Sequence, residues 1–154
     1  MTSPAHINEP DYVNADPAEV NLKVLLPEAM SGGAVSLFEE ITPPLMGPPV
    51  HVHYSEDEFF RVLAGQYRFQ AGELTIDAGP GDTLFVPRGT AHCFFNAGKI
   101  PGRLFMGFTP GGAERFFDWI GLHGLPKMDD PDQMAALRAD FGVAFLGPNP
   151  FADK

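Results

Sequence analysis

Two stretches decide how this chain is read: GPPVHVHYSEDEFFRVLAG at residues 47–65 and GDTLFVPRGTAHCFFN at residues 81–96. The first carries His51-Val52-His53. On a strand, residues i and i+2 point to one face, roughly 6.5–7 Å apart along the chain. Two imidazoles leaning together from that spacing can reach a single metal at about 2.0–2.1 Å, while Val52 points the other way. The polar Tyr54-Ser55-Glu56-Asp57 turns the chain so that Glu58, opening the next strand, aims its carboxylate at the same point. His92 follows the turn Pro87-Arg88-Gly89-Thr90-Ala91 and opens another strand. Three neutral imidazoles and a carboxylate suit a divalent transition metal (Fe, Ni, Mn, Co, Cu or Zn) better than Ca²⁺ or Mg²⁺. The set His51, His53, Glu58 and His92 leaves one or two coordination positions open.

Outward from these stretches the chain is a series of short apolar runs cut by Gly and Pro. Runs at 20–26, 34–41, 50–54, 58–63, 66–70, 73–77, 83–86, 92–96 and 103–109 read as strands. Ala64-Gly65 and Ala71-Gly72 read as hairpin turns. Many short strands without intervening helices predict an all-β sandwich or barrel rather than βαβ units. After Pro110-Gly111-Gly112 the period changes: Phe116, Phe117 and Ile120 fall at helical spacing. A second helix is expected with Asp130 as N-cap, Pro131 in its first turn and Gly142 as its stop. These helices are expected to cover one side of the barrel. The resulting plan is an arm over residues 1–19, a barrel over 20–110 and a helical tail over 111–154.

Composition limits the function classes. The 17 Gly and 16 Pro are scattered rather than periodic, which excludes collagen and fits tight turns. A formal charge of −10 argues against a nucleic-acid backbone or an anionic membrane surface as partner. Cys93 is the sole cysteine, so no internal disulfide forms, and its place beside His92 puts it on the opposite strand face. No run approaches the ~20 apolar residues of a membrane helix, and residues 1–10 do not read as a leader peptide. A cytoplasmic protein is the expectation.

At this point the chain resembles the cupin superfamily of small β-barrels. The spacing HxH, four residues, Glu, six residues, Gly is met by His51, His53, Glu58 and Gly65. The spacing Gly, five residues, Pro-x-Gly, two residues, His, three residues, Asn is met by Gly81, Pro87, Gly89, His92 and Asn96. One departure is at the opening, where the leading Gly usually stands six positions before the first His. Here Gly47 stands four before and Pro48-Pro49 follow. The resemblance implies a jelly-roll (double-stranded β-helix) barrel. Within the superfamily, the stretch around Gly47–Glu58 and the tail Pro110–Phe117 look like the single-domain cupins grouped with quercetin 2,3-dioxygenase, in which the position of Tyr54 is often His.

That resemblance implies a metal-dependent dioxygenase acting on a small enol or flavonol-like aromatic molecule, and a homodimer paired through barrel strands. The substrate would bind through adjacent hydroxyl and keto oxygens, with Glu58 as base if it leaves the metal. Phe60, Val62, Phe94 and Asn96 alternate in phase with Glu58 and His92 and are expected to line the pocket; the same phase also fits ordinary core. Glu56 and Asp57 are expected to be solvated turn residues, and Arg61 to face outward. A non-oxidative isomerase, epimerase or lyase, or a binding module without turnover, would use the same four side chains.

Overall fold

Strict alternation builds the barrel. In the segment Asp57–Ala64, the residues Glu58, Phe60 and Val62 are buried, while Arg61 and Leu63 are exposed. Tyr67 and Phe69 are likewise buried with Arg68 outside. A strand that buries every second residue must lie with one face on a core.

The computed structural model describes residues 20–152; the expected arm at 1–19 lies outside the described residues. Ten strands and two α-helices follow one another: β1 (Asn21–Leu26), β2 (Ser36–Thr42), β3 (Val50–His53), β4 (Asp57–Ala64), β5 (Tyr67–Ala71), β6 (Leu74–Ala78), β7 (Thr83–Val86), β8 (His92–Asn96), β9 (Gly102–Thr109), α1 (Glu114–His123), α2 (Pro131–Phe141) and β10 (Val143–Gly147). They form two antiparallel five-stranded sheets, ordered β1-β2-β9-β4-β7 and β10-β3-β8-β5-β6. Phe38, Phe60, Val62, Tyr67, Phe69, Phe94, Leu104, Met106 and Phe108 fill the space between them. No described helix is long and apolar enough to cross a membrane.

Two sequence expectations need correction. Ala64-Gly65 is not a hairpin turn: β4 and β5 lie in different sheets, so the turn is a corner that carries the chain across the barrel. Gly65 sits at φ +92°, where a Cβ would meet the Gly102 Cα at 3.0 Å, so the corner needs glycine twice over. Ala71-Gly72 does close a hairpin, between β5 and β6.

The tail is also not purely helical. α1 and α2 form as expected, with the Gln133 amide donating to Asp130 Oδ1 at 3.0 Å and Gly142 ending α2 in the left-handed region. The next five residues then return to the barrel as β10. There they pair with the strand that bears two of the candidate ligands, Val143 opposite His53 and Phe145 opposite His51. Five residues after a helix stop are too few to show a period, which hid the strand in the sequence.

The shortened lead-in Gly47-Pro48-Pro49 has a structural answer. The two prolines lack N–H groups, and β3 pairs with β8 only at His51 and His92. Asn149 fills the gap, its Nδ2 donating to the carbonyls of Pro48 at 2.8 Å and Phe94 at 2.9 Å. Gly47 is required there, because a Cβ would run into the Phe94 carbonyl oxygen.

Candidate metal centre

The barrel interior brings His51, His53, Glu58 and His92 together, each 8% exposed or less. One ligand atom from each lies within 4.8 Å of the others. The placement follows from register: His51 and His53 share the inner face of β3, His51 pairs with His92 at the start of β8, and Glu58 is the second residue of β4.

Backbone carbonyls aim two of the three imidazoles. His51 donates from Nδ1 to the Pro49 carbonyl at 2.8 Å, and His92 from Nδ1 to the Thr90 carbonyl at 2.9 Å. A carbonyl can only accept, so the proton sits on Nδ1 and Nε2 turns inward. In His53, Nε2 stands 3.9 Å from Glu58 Oε1, and Phe108 meets the ring edge-on at a centroid distance of 5.1 Å.

Electrostatics favour neutral rings at His51 and His53. Burial, then the neighbouring His92, pushes His51 down to about 3 against the pull of the Pro49 carbonyl. Burial with His51 and His92 holds His53 well below its ordinary value. Glu58 and His92 differ, because His92 Nε2 and Glu58 Oε1 are 2.7 Å apart. Burial raises Glu58 although the His92 bond opposes it. Burial works against charging His92, but the hydrogen bond and charge of Glu58 outweigh it and raise His92. The pair therefore holds one proton in the place a cation would take.

These residues fit a divalent transition metal. Two buried rings offer free lone pairs, a third offers one on losing its shared proton, and a buried carboxylate supplies charge. Binding should release about one proton per ion near pH 6.5, since the Glu58–His92 proton is held above the ordinary imidazole range. Titration calorimetry with zinc in two buffers of different ionisation enthalpy measures that proton; a value near zero would contradict the pairing.

His51, His53 and Glu58 of the cluster open onto a cavity of about 80 Å³. Its walls are Pro48, Pro49, Phe94, Met106, Phe116, Phe117, Ile120, Leu125 and Phe145, with Glu40 the one polar group besides the cluster. Of the expected lining, Phe94 is present. Phe60, Val62 and Asn96 face the same interior but lie outside the lining. Phe60 and Val62 pack in the apolar core between the sheets. Asn96 is fully buried, its amide donating to the carbonyls of Thr42 and Ile100 and its oxygen accepting from Gly98 N–H. In-phase positions are shared between site and core, and depth along the barrel decides which is which. α1 is also more than a cover, since Phe116, Phe117 and Ile120 roof the cavity.

Glu40 is the residue the sequence reading missed. Tyr67 donates to Thr42 Oγ1 at 2.9 Å, and Thr42 donates to Glu40 Oε2 at 2.6 Å. Burial, partly opposed by Thr42 and reinforced by Glu58, pushes Glu40 up to about 7. Its signal was available, because Phe38, Glu40 and Thr42 alternate on one strand face.

Glu56 needs a correction too. Its side chain is 12% exposed rather than solvated, because the chain folds it under α1 beside Arg115. Burial, then Glu58, pushes it up to about 7, with Arg115 and Arg88 opposing. Asp57 is paired with Arg88, which holds its carboxyl below the ordinary range. Arg61 is exposed as expected, and Arg68 and Arg103 pair with Asp77 and Glu39. Burial pushes the Cys93 thiol up to about 11, which suits a packing role rather than a nucleophile.

Comparison with known proteins places this architecture. Residues 38–108 match the Cupin domain family. Germin-like protein 3-5 of Oryza sativa subsp. japonica is 32% identical over 67% of this chain and 49% of its own length. Oxalate oxidase 2 of Hordeum vulgare is 30% identical over 68% of this chain and 50% of its own. The chain thus spans about half the length of these two plant relatives. An RmlC-like cupin structure from Shewanella frigidimarina superposes with a TM-score of 0.59 at 17% identity, covering 75% of this chain and 99% of that one. Sheets, motif spacing and matched segment agree: the chain is a small β-barrel protein of the cupin superfamily.

Proposed function

We propose that this cupin is a metal-dependent dioxygenase acting on a small, uncharged enol with adjacent hydroxyl and keto oxygens. The observation that carries the reading is the cavity at the His₃Glu cluster: apolar walls, a single further carboxylate, and no Lys or Arg in the lining. Its likeness to oxalate oxidase 2 supports oxidative chemistry on a small molecule. A dianion such as oxalate would meet Glu40 with no cationic side chain to offset it, which favours a neutral substrate. The buried volume of about 80 Å³ is below the ~150 Å³ of an engineered benzene-binding cavity. A flavonol would therefore reach well outside it, and a molecule of a few heavy atoms fits better.

A metal held by His51, His53, Glu58 and His92 would supply an open coordination position, lower the pKa of a substrate hydroxyl and open a route to O₂. The chain's own residues do the remainder. Glu58, relieved of the proton it shares with His92 Nε2 when a metal takes that place, would accept the hydroxyl proton. Glu40, fixed by the Thr42 and Tyr67 hydroxyls, accepts a hydrogen bond from the far end of the substrate. Phe94, Met106, Phe116 and Phe117 exclude water from the reacting face.

The test is O₂ uptake by protein loaded with each metal in turn, screened against small enols and α-hydroxyketones. Consumption of O₂ in step with substrate loss is expected. Glu40→Leu should lower kcat/KM about 10- to 100-fold at unchanged metal content. Turnover under strict anaerobiosis would instead establish an isomerase or lyase. That second reading draws on the two carboxyl groups, Glu40 and Glu58, that face one cavity.

A further inference from the structure

The three imidazoles of the cluster are not held alike. His51 and His92 have Nδ1 fixed by the Pro49 and Thr90 carbonyls at 2.8 and 2.9 Å. His53 has no such bond among the described residues. Its ring stands between two carboxylates, with Nε2 3.9 Å from Glu58 Oε1 in front and Nδ1 3.9 Å from Glu56 Oε2 behind. The second distance is too long for a hydrogen bond. Glu56 Oε2 is also the one buried side-chain polar atom without a partner among the described residues. An unsatisfied buried acceptor is unfavourable, and here it faces the one ligand ring that lacks a lock.

We propose that Glu56 is the positioning residue of the centre: its carboxylate takes the Nδ1–H of His53 and locks the third imidazole as the two carbonyls lock the others. The proposal rests on reading the cluster as a metal site. A ligating imidazole normally donates its other N–H to a carboxylate or carbonyl, which fixes the ring and raises its basicity. There is room for the last ångström of approach, because behind His53 lies a separate polar cavity of about 190 Å³ bordered by Ser55, Glu56, Arg115, Arg138 and Asp140. The competing partners are engaged elsewhere. Arg115 Nη1 donates to Glu28 Oε1 at 2.8 Å, Arg88 pairs with Asp57, and Arg138 lies over the Tyr54 ring at 3.9 Å.

The test measures zinc affinity of the full chain, by competition with a chelator, for the parent, Glu56→Ala and Glu56→Gln. Glu56→Ala should bind zinc about 10- to 100-fold more weakly. Glu56→Gln keeps an acceptor oxygen and should recover most of that loss. In long-range ¹H–¹⁵N spectra of the zinc-loaded protein, the His53 Nδ1 proton should be a downfield, slowly exchanging signal in the parent and in Glu56→Gln, and absent in Glu56→Ala. Thermal melts of the metal-free proteins separate positioning from bulk structure. Losing an unpartnered buried oxygen should leave metal-free Glu56→Ala at least as stable as the parent, whereas a structural role lowers stability and affinity together. Undiminished zinc affinity in Glu56→Ala, with the His53 signal unmoved, overturns this proposal alone. A parent chain that binds no zinc or other transition metal removes the metal-site reading as well.

Discussion

Replacing His51 by Ala is expected to weaken metal binding by more than about 100-fold, beyond the range of any second-layer substitution. His51 has its Nδ1 on the Pro49 carbonyl and pairs in register with His92, so no neighbouring ring can swing into its place. Elemental analysis after purification without added metal measures the effect, and full metal content in His51→Ala would end the ligand assignment. The metal-free variant should also respond less to acid. A histidine held at about 3 in the folded chain takes up its proton only on unfolding anywhere between there and its ordinary 6.5. The unfolded state then binds more protons, so stability falls as pH drops through that window. At pH 5 His51 accounts for about 2 kcal/mol of this loss, which His51→Ala should relieve.

The second large effect is expected from Phe108→Ala. Phe108 is fully buried on β9, with its ring against Phe38 at 5.6 Å, Phe117 at 5.9 Å and His53 at 5.1 Å. Truncating such a ring costs about 3–5 kcal/mol through lost burial and the cavity left behind. For a chain of this size that is a drop in Tm on the order of 10 °C. The same change removes the wall behind His53, so metal affinity should fall with stability. A cost below about 1 kcal/mol in denaturant unfolding would show that the core closes over the gap.

Much of the architecture was legible because each strand carries its own period and each turn its own glycine or proline. The ligand set was legible for a related reason: a two-residue repeat on a strand fixes which side chains share a face. What escaped depended on facts that no local window contains. Ala64-Gly65 has the composition of a hairpin, and only the sheet order shows it to be a corner. Glu40 is the exception, since its alternation with Phe38 and Thr42 on one strand lies within a single local window. Glu56 reads as a solvated turn residue until α1, far along the chain, is folded over it. Phe60 and Phe94 share one phase, yet one is core and the other is wall, because depth along the barrel is not encoded in alternation.

β10 also has a bearing on how the protein is made. The strand with His51 and His53 emerges from the ribosome well before Val143, and the 90 residues from Tyr54 through Val143 take roughly 5–18 s to synthesise at ~5–20 residues per second. Throughout that interval one flank of the histidine strand presents bare N–H and C=O groups, an edge on which another nascent chain can add. Val143, Ala144 and Phe145 close that edge, so their arrival shields the chain from misassembly as well as completing the wall of the site.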